Sequence, residues 1–164
     1  MKGITDARTL ACYIKKYYSE NFEKCNIKKE ISPLKLQKSL YFCFAYWGGF
    51  VRKGKDQQNE LNQSFNELLF NNKIEAWVYG PVVPEVYHEQ NLEVYDKGEE
   101  NIFGDVFIKD YIDGILDNVL SCNDFQLVEI SHEDRCWKKY FKKNAIFHNG
   151  TIPFEEIIKE YASK

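Results

Sequence analysis

The sequence predicts a mainly α protein, a compact helical domain with a few short β-strands. Apolar residues recur at three- and four-residue spacing in several separate stretches, which is the period of a helix buried on one face. Only residues 74–87 combine an apolar run with the glycine and proline breaks typical of short extended segments. With 164 residues and 44% hydrophobic content, the chain is long enough to bury a core, and we expect one domain spanning residues 1–164.

The N-terminal third predicts two helices. Thr5 resembles an N-cap, and the apolar positions of residues 7–18 follow it at helical spacing. Ser32-Pro33 predicts the start of a second helix, since serine caps a helix and proline suits its first position. Its apolar positions within residues 36–47 repeat at three and four, and we expect Gly48-Gly49 to end it. This helix is predicted to form the centre of the core.

A corner of the backbone is predicted within residues 74–87. The apolar run before Gly80 indicates a short buried extended segment, and Pro84 is predicted to begin the helix that follows. Because residues two apart in an extended segment point to the same face, we expect both Trp77 and Tyr79 to be largely buried.

The rest of the chain predicts a polar loop and four further helices. The loop covers residues 53–72 and includes one short helix near residues 65–70. The helices are predicted over residues 108–120 with Gly114 inside, from Asn123 or Asp124 onward, after a capping box at Ser131–Asp134, and from Pro153 onward.

Charge is distributed unevenly along the chain. Residues 1–55 carry twelve Lys or Arg against four acids, residues 56–134 carry three against eighteen, and residues 135–164 carry seven against three. Nucleic-acid binding favours a continuous basic face, which an acidic middle does not supply. Segregated charge can instead steer a protein partner of complementary potential, unless the three blocks mix in space after folding.

Composition also predicts the compartment. No apolar run approaches the length of a membrane span, and the first residues lack the apolar core of a secretion signal. The five cysteines are widely spaced and form no CxxC pair, which supports neither a disulfide framework nor a zinc ribbon. We therefore expect a cytoplasmic protein.

Few residues suggest catalysis or metal binding. His132 and Cys136 have the i, i+4 spacing of two zinc ligands on a helix, but two ligands do not make a site. His132 beside Glu133 and Asp134 could serve as a general base of a hydrolase, or simply belong to a helix start. Neither a nucleophile motif nor a phosphate-binding glycine loop accompanies it. We expect no enzyme activity, no cofactor and no metal.

A basic aromatic stretch leaves a second alternative open. Residues 135–143 place Trp137, Tyr140 and Phe141 on one helix face with lysines around them. This pattern suits a nucleic-acid-binding regulator, in which the aromatic rings would stack on bases. Core packing of the aromatic rings with a solvated lysine face is the simpler interpretation.

Four blocks of the chain resemble the SocA-type antitoxin domain, also called Panacea. The most specific is Glu75-Ala-Trp-Val-Tyr-Gly-Pro-Val-Val-Pro-Glu-Val-Tyr87. The others are Leu34-Lys-Leu-Gln-Lys-Ser-Leu-Tyr-Phe-Cys43, the stretch Leu127–Trp137 with Ser131-His132-Glu133, and Ile152-Pro153 with Ile157 and Tyr161. The residues that match the family motif are Leu36, Gln37, Lys38, Trp77, Tyr79, Gly80, Pro81, Val82, Pro84, Tyr87, His132, Glu133 and Trp137.

The resemblance implies a function in protein binding. Members of this family occur in bacterial and phage toxin–antitoxin pairs and neutralise a toxin by direct contact. One SocA-like member delivers its toxin to a cytosolic protease, so the resemblance admits a protease as a second partner. It also implies a mainly helical fold with a few short strands and no catalytic site.

An acidic stripe is the predicted partner-binding surface. Glu85, Glu89 and Glu93 follow Pro84 at four-residue spacing, which on one helix would align the three carboxylates. Like charges in a row favour solvent or a cationic partner, and a basic toxin would be such a partner. A merely solvated helix face is the alternative.

Overall fold

A computed structural model describes residues 2–22, 30–89, 91–96, 101–141 and 150–164. The described helices are α1 (Ala7–Asn21), α2 (Pro33–Asp56), α3 (Glu60–Gln63), α4 (Pro84–Tyr87), α5 (Val106–Ser121), α6 (Asp124–His132), α7 (Arg135–Tyr140) and α8 (Phe154–Ala162). A 3₁₀ helix covers Leu92–Asp96, and the two strands are β1 (Glu75–Trp77) and β2 (Gly80–Val82). The prediction of a mainly α protein is confirmed.

Helix α2 forms the centre of the core. The Ser32 hydroxyl accepts a hydrogen bond of 3.0 Å from the Lys35 amide, and Pro33 occupies the first turn, as the sequence predicts. Side chains on nearly every face of the helix are buried, which is the pattern of a helix enclosed by others. Apolar side chains of α1, α5 and α8 join those of α2 in one cluster.

The predicted end of α2 at Gly48-Gly49 is wrong, because the helix continues to Asp56. The two glycines instead allow α8 to approach closely. A Cβ atom at Gly48 would lie 2.7 Å from Cγ1 of Ile158, and one at Gly49 would lie 2.6 Å from the backbone carbon of Tyr161. Both glycines therefore serve helix packing, at a modest cost in helix propensity.

Helix α1 packs between α2 and the 3₁₀ helix and is tied to α5 by tyrosines. Its N-cap is Asp6, one residue after the predicted Thr5, because the Asp6 carboxylate accepts from the Thr9 amide at 2.9 Å. The Tyr13 hydroxyl donates to Asp113 of α5 at 2.5 Å. Burial, followed by this hydrogen bond, raises the pKa of Tyr13 far above its usual value, so the phenol remains a donor at physiological pH.

The two strands form an antiparallel hairpin with the register Glu75↔Val82, Ala76↔Pro81 and Trp77↔Gly80. This confirms the extended segment before Gly80. The other edge of β1 is covered too, because the Ala76 amide donates to the Gly150 carbonyl and the Ile152 amide to the Ile74 carbonyl, each at 2.8 Å. Pro84 begins α4, as predicted, but α4 has only four residues.

Two local predictions are wrong. The short helix of the polar stretch is α3, over residues 60–63 instead of 65–70. The capping box lies at Asn123 and Gln126, before α6, and Ser131 belongs to α6, where its hydroxyl donates to the Val128 carbonyl at 2.9 Å. Asp134 does precede α7, but its side chain makes no cap hydrogen bond, because it is bound elsewhere.

The cysteines do not form disulfides among the described residues. Cys12, Cys43, Cys122 and Cys136 are free thiols, and Cys25 lies outside the described ranges. No described helix is both long enough and apolar enough to cross a membrane.

Candidate functional site

The hairpin turn, residues 77–80, is where the blocks with the family-like pattern meet. Gly80 ends this turn with a φ of +108°, a conformation that residues with a Cβ rarely adopt. A Cβ at this position would also collide with the Ser131 hydroxyl and lie 3.0 Å from Cε of Lys38. Glycine is therefore required both by the backbone angle and by the close approach of α2 and α6.

Helix α2 holds the strand that leaves the turn. The Gln37 side chain binds both backbone groups of Val83: its Oε1 accepts from the Val83 amide at 2.8 Å, and its Nε2 donates to the Val83 carbonyl at 3.2 Å. Lys38 donates from Nζ to the Pro81 carbonyl at 2.9 Å. Pro81 and Val82 are themselves buried, so these backbone groups have little access to water.

Lys38 is an unusual residue for a protein core. Only 1% of it is exposed, and burial lowers the pKa of its ammonium group to about 7. An ammonium ion that loses water needs other hydrogen-bond acceptors, and the Pro81 carbonyl provides one. Lys38 therefore connects α2 to the hairpin through a hydrogen bond, and its amino group changes charge near neutral pH.

Helices α6 and α7 hold the turn from the other side. His132 Nε2 lies 2.9 Å from the Val78 carbonyl oxygen, and Trp137 Nε1 donates to the Trp77 carbonyl at 2.8 Å. Because a carbonyl oxygen can only accept, Nε2 of His132 carries the proton in this arrangement. The two rings stack on each other with centroids 4.1 Å apart. The carbonyls of Trp77 and Val78 are thus fixed by side chains distant in sequence.

Two residues of the turn and one of α4 are exposed here, and we call Val78, Tyr79 and Tyr87 the aromatic patch. Their exposed fractions are 59%, 63% and 52%. The prediction that Tyr79 is buried is wrong, because β1 ends at Trp77 and Tyr79 lies in the turn, where strand alternation no longer applies. Trp77 is only partly buried, and its ring packs edge-on against Tyr87 with centroids 4.6 Å apart.

The three glutamates of the predicted stripe do not share a helix. Helix α4 ends at Tyr87, so only Glu85 lies on it, and Glu93 belongs to the 3₁₀ helix. Glu85 accepts from the Asn72 side chain, and Glu89 forms an ion pair of 3.6 Å with Arg8. Glu85 and Glu93 are exposed, and Glu89 is partly buried. The single-helix geometry is therefore wrong, because α4 ends before Glu89.

The arrangement around His132 does not resemble a catalytic base with its carboxylate. His132 is bound to the Val78 carbonyl, and Glu133 is exposed at the end of α6. Asp134 is buried and accepts hydrogen bonds from the hydroxyls of Tyr41 at 2.5 Å and Tyr161 at 2.6 Å. Burial, and for Tyr161 next the Asp134 charge, raises the pKa of both phenols well above the usual value, so both hydroxyls keep their protons.

Within the described ranges, Asp134, Cys136 and Glu160 form a group whose ligand atoms could reach one metal ion. These atoms already have partners. Glu160 accepts from the amides of Arg135 and Cys136, which begin α7, and Lys164 pairs with Asp134 at 3.0 Å. Burial raises the pKa of the Cys136 thiol to about 12, which disfavours the thiolate that a metal requires. His132 and Cys136 do not lie on one helix, because α6 ends at His132 and Cys136 belongs to α7.

The basic aromatic stretch uses its rings within the fold. The Trp137 ring stacks on His132 and, with centroids 4.8 Å apart, on Phe141. Lys139 forms an ion pair of 2.7 Å with Glu156. Rings that are packed in this way are not available to stack on bases, which favours the core-packing interpretation; Lys142 and Lys143 lie outside the described residues.

Most residues of the family-like motif are placed around one turn. Leu36 and Pro84 are buried, and Gln37, Lys38, Gly80, His132 and Trp137 act as described above. Sequence reasoning did not find Tyr41 and Tyr161 as partners of Asp134. A buried tyrosine hydroxyl needs a polar partner, so their place on predicted core helices was a signal that such a partner exists, although not which one.

Comparison with known proteins gives one result. The family model described as "Antitoxin SocA-like, Panacea domain" matches residues 57–138, half of the chain. The match includes the hairpin and the segment from α6 to Lys138, whereas Gln37, Lys38 and α8 lie outside it. Comparisons with curated proteins and with solved structures gave no match.

Proposed function

The chain belongs to the SocA-like antitoxin family with the Panacea domain, and on this premise we propose that it neutralises a toxin by direct protein contact. In this proposal the aromatic patch is the main contact surface. The protein acts by binding, without a catalytic step of its own, and its place of action is the cytoplasm, where the toxin is made.

The observation that carries the proposal is the contrast between a fixed backbone and exposed side chains at the hairpin turn. Gln37, Lys38, His132 and Trp137 bind backbone groups from Trp77 to Val83, while Val78, Tyr79 and Tyr87 remain exposed. A surface that is rigid before binding loses little conformational entropy in the complex. Exposed tyrosines on such a surface are typical anchors of protein interfaces.

The glutamates next to the patch supply a second feature. Glu85 follows β2 on the short helix that also carries Tyr87, and Glu93 lies on the 3₁₀ helix that follows. We propose that Glu85, Glu89 and Glu93 give this region a negative potential that attracts a basic toxin. Such steering changes the association rate more than the final affinity and weakens with salt.

The test uses the product of the neighbouring open reading frame as the toxin. Wild-type protein should restore growth of cells that express this product and should bind it in calorimetry. Tyr79→Ala should weaken binding at least tenfold with an unchanged Tm, because the side chain is exposed. Phe125→Ala, which removes another exposed ring, is the matched control and should behave as wild type.

Two results would contradict the proposal. Lack of any binding between the wild-type protein and the toxic product would exclude neutralisation by direct contact. Unchanged affinity of Tyr79→Ala would place the contact surface elsewhere.

The steering by glutamates has a separate test. Glu85→Lys with Glu93→Lys should slow association at low salt and leave Tm nearly unchanged, since both side chains are exposed. Glu89 is left in place because a lysine there would face Arg8. Asp56→Lys with Glu60→Lys, the same charge change at other exposed positions, is the control. If the association rate falls equally in both double variants, the effect is due to net charge and not to the position of Glu85 and Glu93.

A further inference from the structure

An apolar groove of about 610 Å³ lies between α2, α5 and α6. Its apolar lining includes Phe42, Tyr46, Ile115, Val119, Leu127 and Ile130. Tyr46 and Ile130 are 40% and 42% exposed, which is high for large apolar side chains beside a core. The groove shares no residue with the aromatic patch.

Gly114 lies in the wall of the groove. It lies in the interior of α5, where glycine destabilises a helix relative to alanine. Apart from its chain neighbours and the backbone of its own helix, no described atom lies within 4 Å of the position that its Cβ would occupy, in contrast to Gly48 and Gly49. No positive φ explains this glycine either, since its backbone is helical. The described fold itself therefore does not need a glycine here. A glycine would be needed if another chain approached α5 closely at this point.

The shape of the groove suits a helix. One edge of the groove is lined by Asp110, Gly114 and Asn118 of α5 and by Cys122 directly after the helix, which repeat every four positions. At 1.5 Å per residue this edge is about 18 Å long, or roughly three turns of a partner helix. Helices that enter such grooves place apolar residues at three- and four-residue spacing against the floor.

The surroundings of the groove are acidic. Asp110 lies in its wall, and Glu129 and Glu133 are exposed on either side of Ile130 along α6. The other aspartates of α5, Asp113 and Asp117, do not line the groove, because they accept hydrogen bonds from tyrosines of α1. A helix with an apolar face and basic flanks complements this combination of floor and rim.

We propose that the groove between α2, α5 and α6 binds a basic amphipathic helix of a partner protein, with Gly114 as the point of closest approach. The inference rests on the proposed function in one respect, namely that the toxin is the partner expected to supply this helix. The groove then forms a second contact surface beside the aromatic patch.

The test measures binding of a synthetic peptide to the full chain. The probe is a labelled 18-residue peptide of leucine and lysine in amphipathic helical order, compared with a scrambled peptide of the same composition. The ordered peptide should bind at least tenfold more tightly than the scrambled one, and its affinity should fall as salt rises. Gly114→Phe, which fills the groove, should weaken this binding at least tenfold without loss of helical content.

Two further variants make the test specific. Val106→Phe enlarges an exposed side chain on the same helix outside the groove and should bind as wild type. Ile130→Lys places a positive charge at the partly exposed groove edge and should also weaken binding, which provides an independent result if Gly114→Phe disturbs α5.

Three outcomes would overturn the inference. These are equal binding of the ordered and scrambled peptides, unchanged binding by Ile130→Lys, and a dimer in sedimentation that Gly114→Phe dissociates. The last outcome would identify a second copy of this chain as the occupant. Because the assay contains no toxin, its failure leaves the proposed function intact, and a failed Tyr79→Ala test leaves the groove intact.

Discussion

The Trp137 indole donates a hydrogen bond of 2.8 Å to the backbone carbonyl of Trp77, 60 residues earlier in the chain. The same ring is stacked between His132 and Phe141. One side chain thus joins α7 to the hairpin turn and is itself held in place by its neighbours. This bond exists only in the folded chain, and it links two blocks with the family-like pattern.

Trp137→Phe tests this link. The variant keeps an aromatic ring for stacking but removes the donor, and we expect a loss of about 1–2 kcal/mol in the free energy of unfolding. Amide chemical shifts in the NMR spectrum should change most at residues 77–80. Trp47→Phe is the control, because it removes a similar hydrogen bond of 2.9 Å, which the Trp47 indole donates to the Asn66 carbonyl. Shift changes at residues 77–80 in both variants would argue against a specific role for Trp137.

Gln37→Met should destabilise the protein by about 2–4 kcal/mol, since both the amide and the carbonyl of Val83 lose their partner in a buried place. Methionine has nearly the same volume, so loss of packing contributes little. Urea unfolding measures the effect, and Gln57→Met at an exposed position is the control, with an expected change within about 0.5 kcal/mol. If Gln37→Met loses less than about 1 kcal/mol of unfolding free energy, water must form hydrogen bonds with the Val83 amide and carbonyl in place of Gln37.

The buried amino group of Lys38 should make the free energy of unfolding depend on pH. Its folded pKa of about 7 lies below the pKa of roughly 10.4 that an unfolded lysine has. Between these values the unfolded chain binds a proton that the folded chain does not, so this residue makes stability rise with pH; below pH 7 both states are protonated and its contribution is constant.

Lys38→Met should remove this dependence. The stability of the variant relative to wild type should be greatest at pH 6 and should fall by about 2–3 kcal/mol between pH 7 and pH 9. Lys73→Met, which removes an exposed lysine, controls for the change of net charge. A difference between Lys38→Met and wild type that is the same at every pH would contradict the role of proton binding at Lys38.

Two glycine-to-alanine variants should have opposite effects. Gly49→Ala places a Cβ 2.6 Å from the Tyr161 backbone and should destabilise the fold by about 1–3 kcal/mol, because α8 must move. Gly114→Ala enters open space and should stabilise the protein by about 0.5–1 kcal/mol through better helix propensity. Thermal unfolding of both variants measures the difference. A loss of stability in Gly114→Ala would mean that the groove is narrower than described.

Much of the fold could be predicted because it depends on neighbours along the chain. The start of α2 at Ser32-Pro33, the extended segment before Gly80 and the helix at Pro84 all follow from caps, fixed φ angles and local spacing. The amphipathic period also predicted α1 and α5 close to their observed bounds. These signals act over a few residues, and the sequence displays them directly.

The candidate site could be predicted only in part. The motif pattern identified Gln37, Lys38, His132 and Trp137 as residues of interest, but not what they bind. Their partners on the hairpin lie between 43 and 60 residues away, so no local spacing reports these contacts. The exposure of Tyr79 was missed for a similar reason, because the register of the hairpin decides where the strand ends.

By itself, the sequence determined the helical class, the main helix starts and the short extended segment, because propensity, capping and periodicity are properties of adjacent residues. Tertiary structure alone decided that α2 passes through Gly48-Gly49, where α8 approaches, and that Asp134 serves two tyrosines instead of a helix start. It also decided that four distant side chains bind the backbone between Trp77 and Val83, and that an aromatic patch is exposed beside it. Such contacts depend on how helices and strands pack against each other. Packing brings together residues that are far apart in the sequence, so no local pattern reports it.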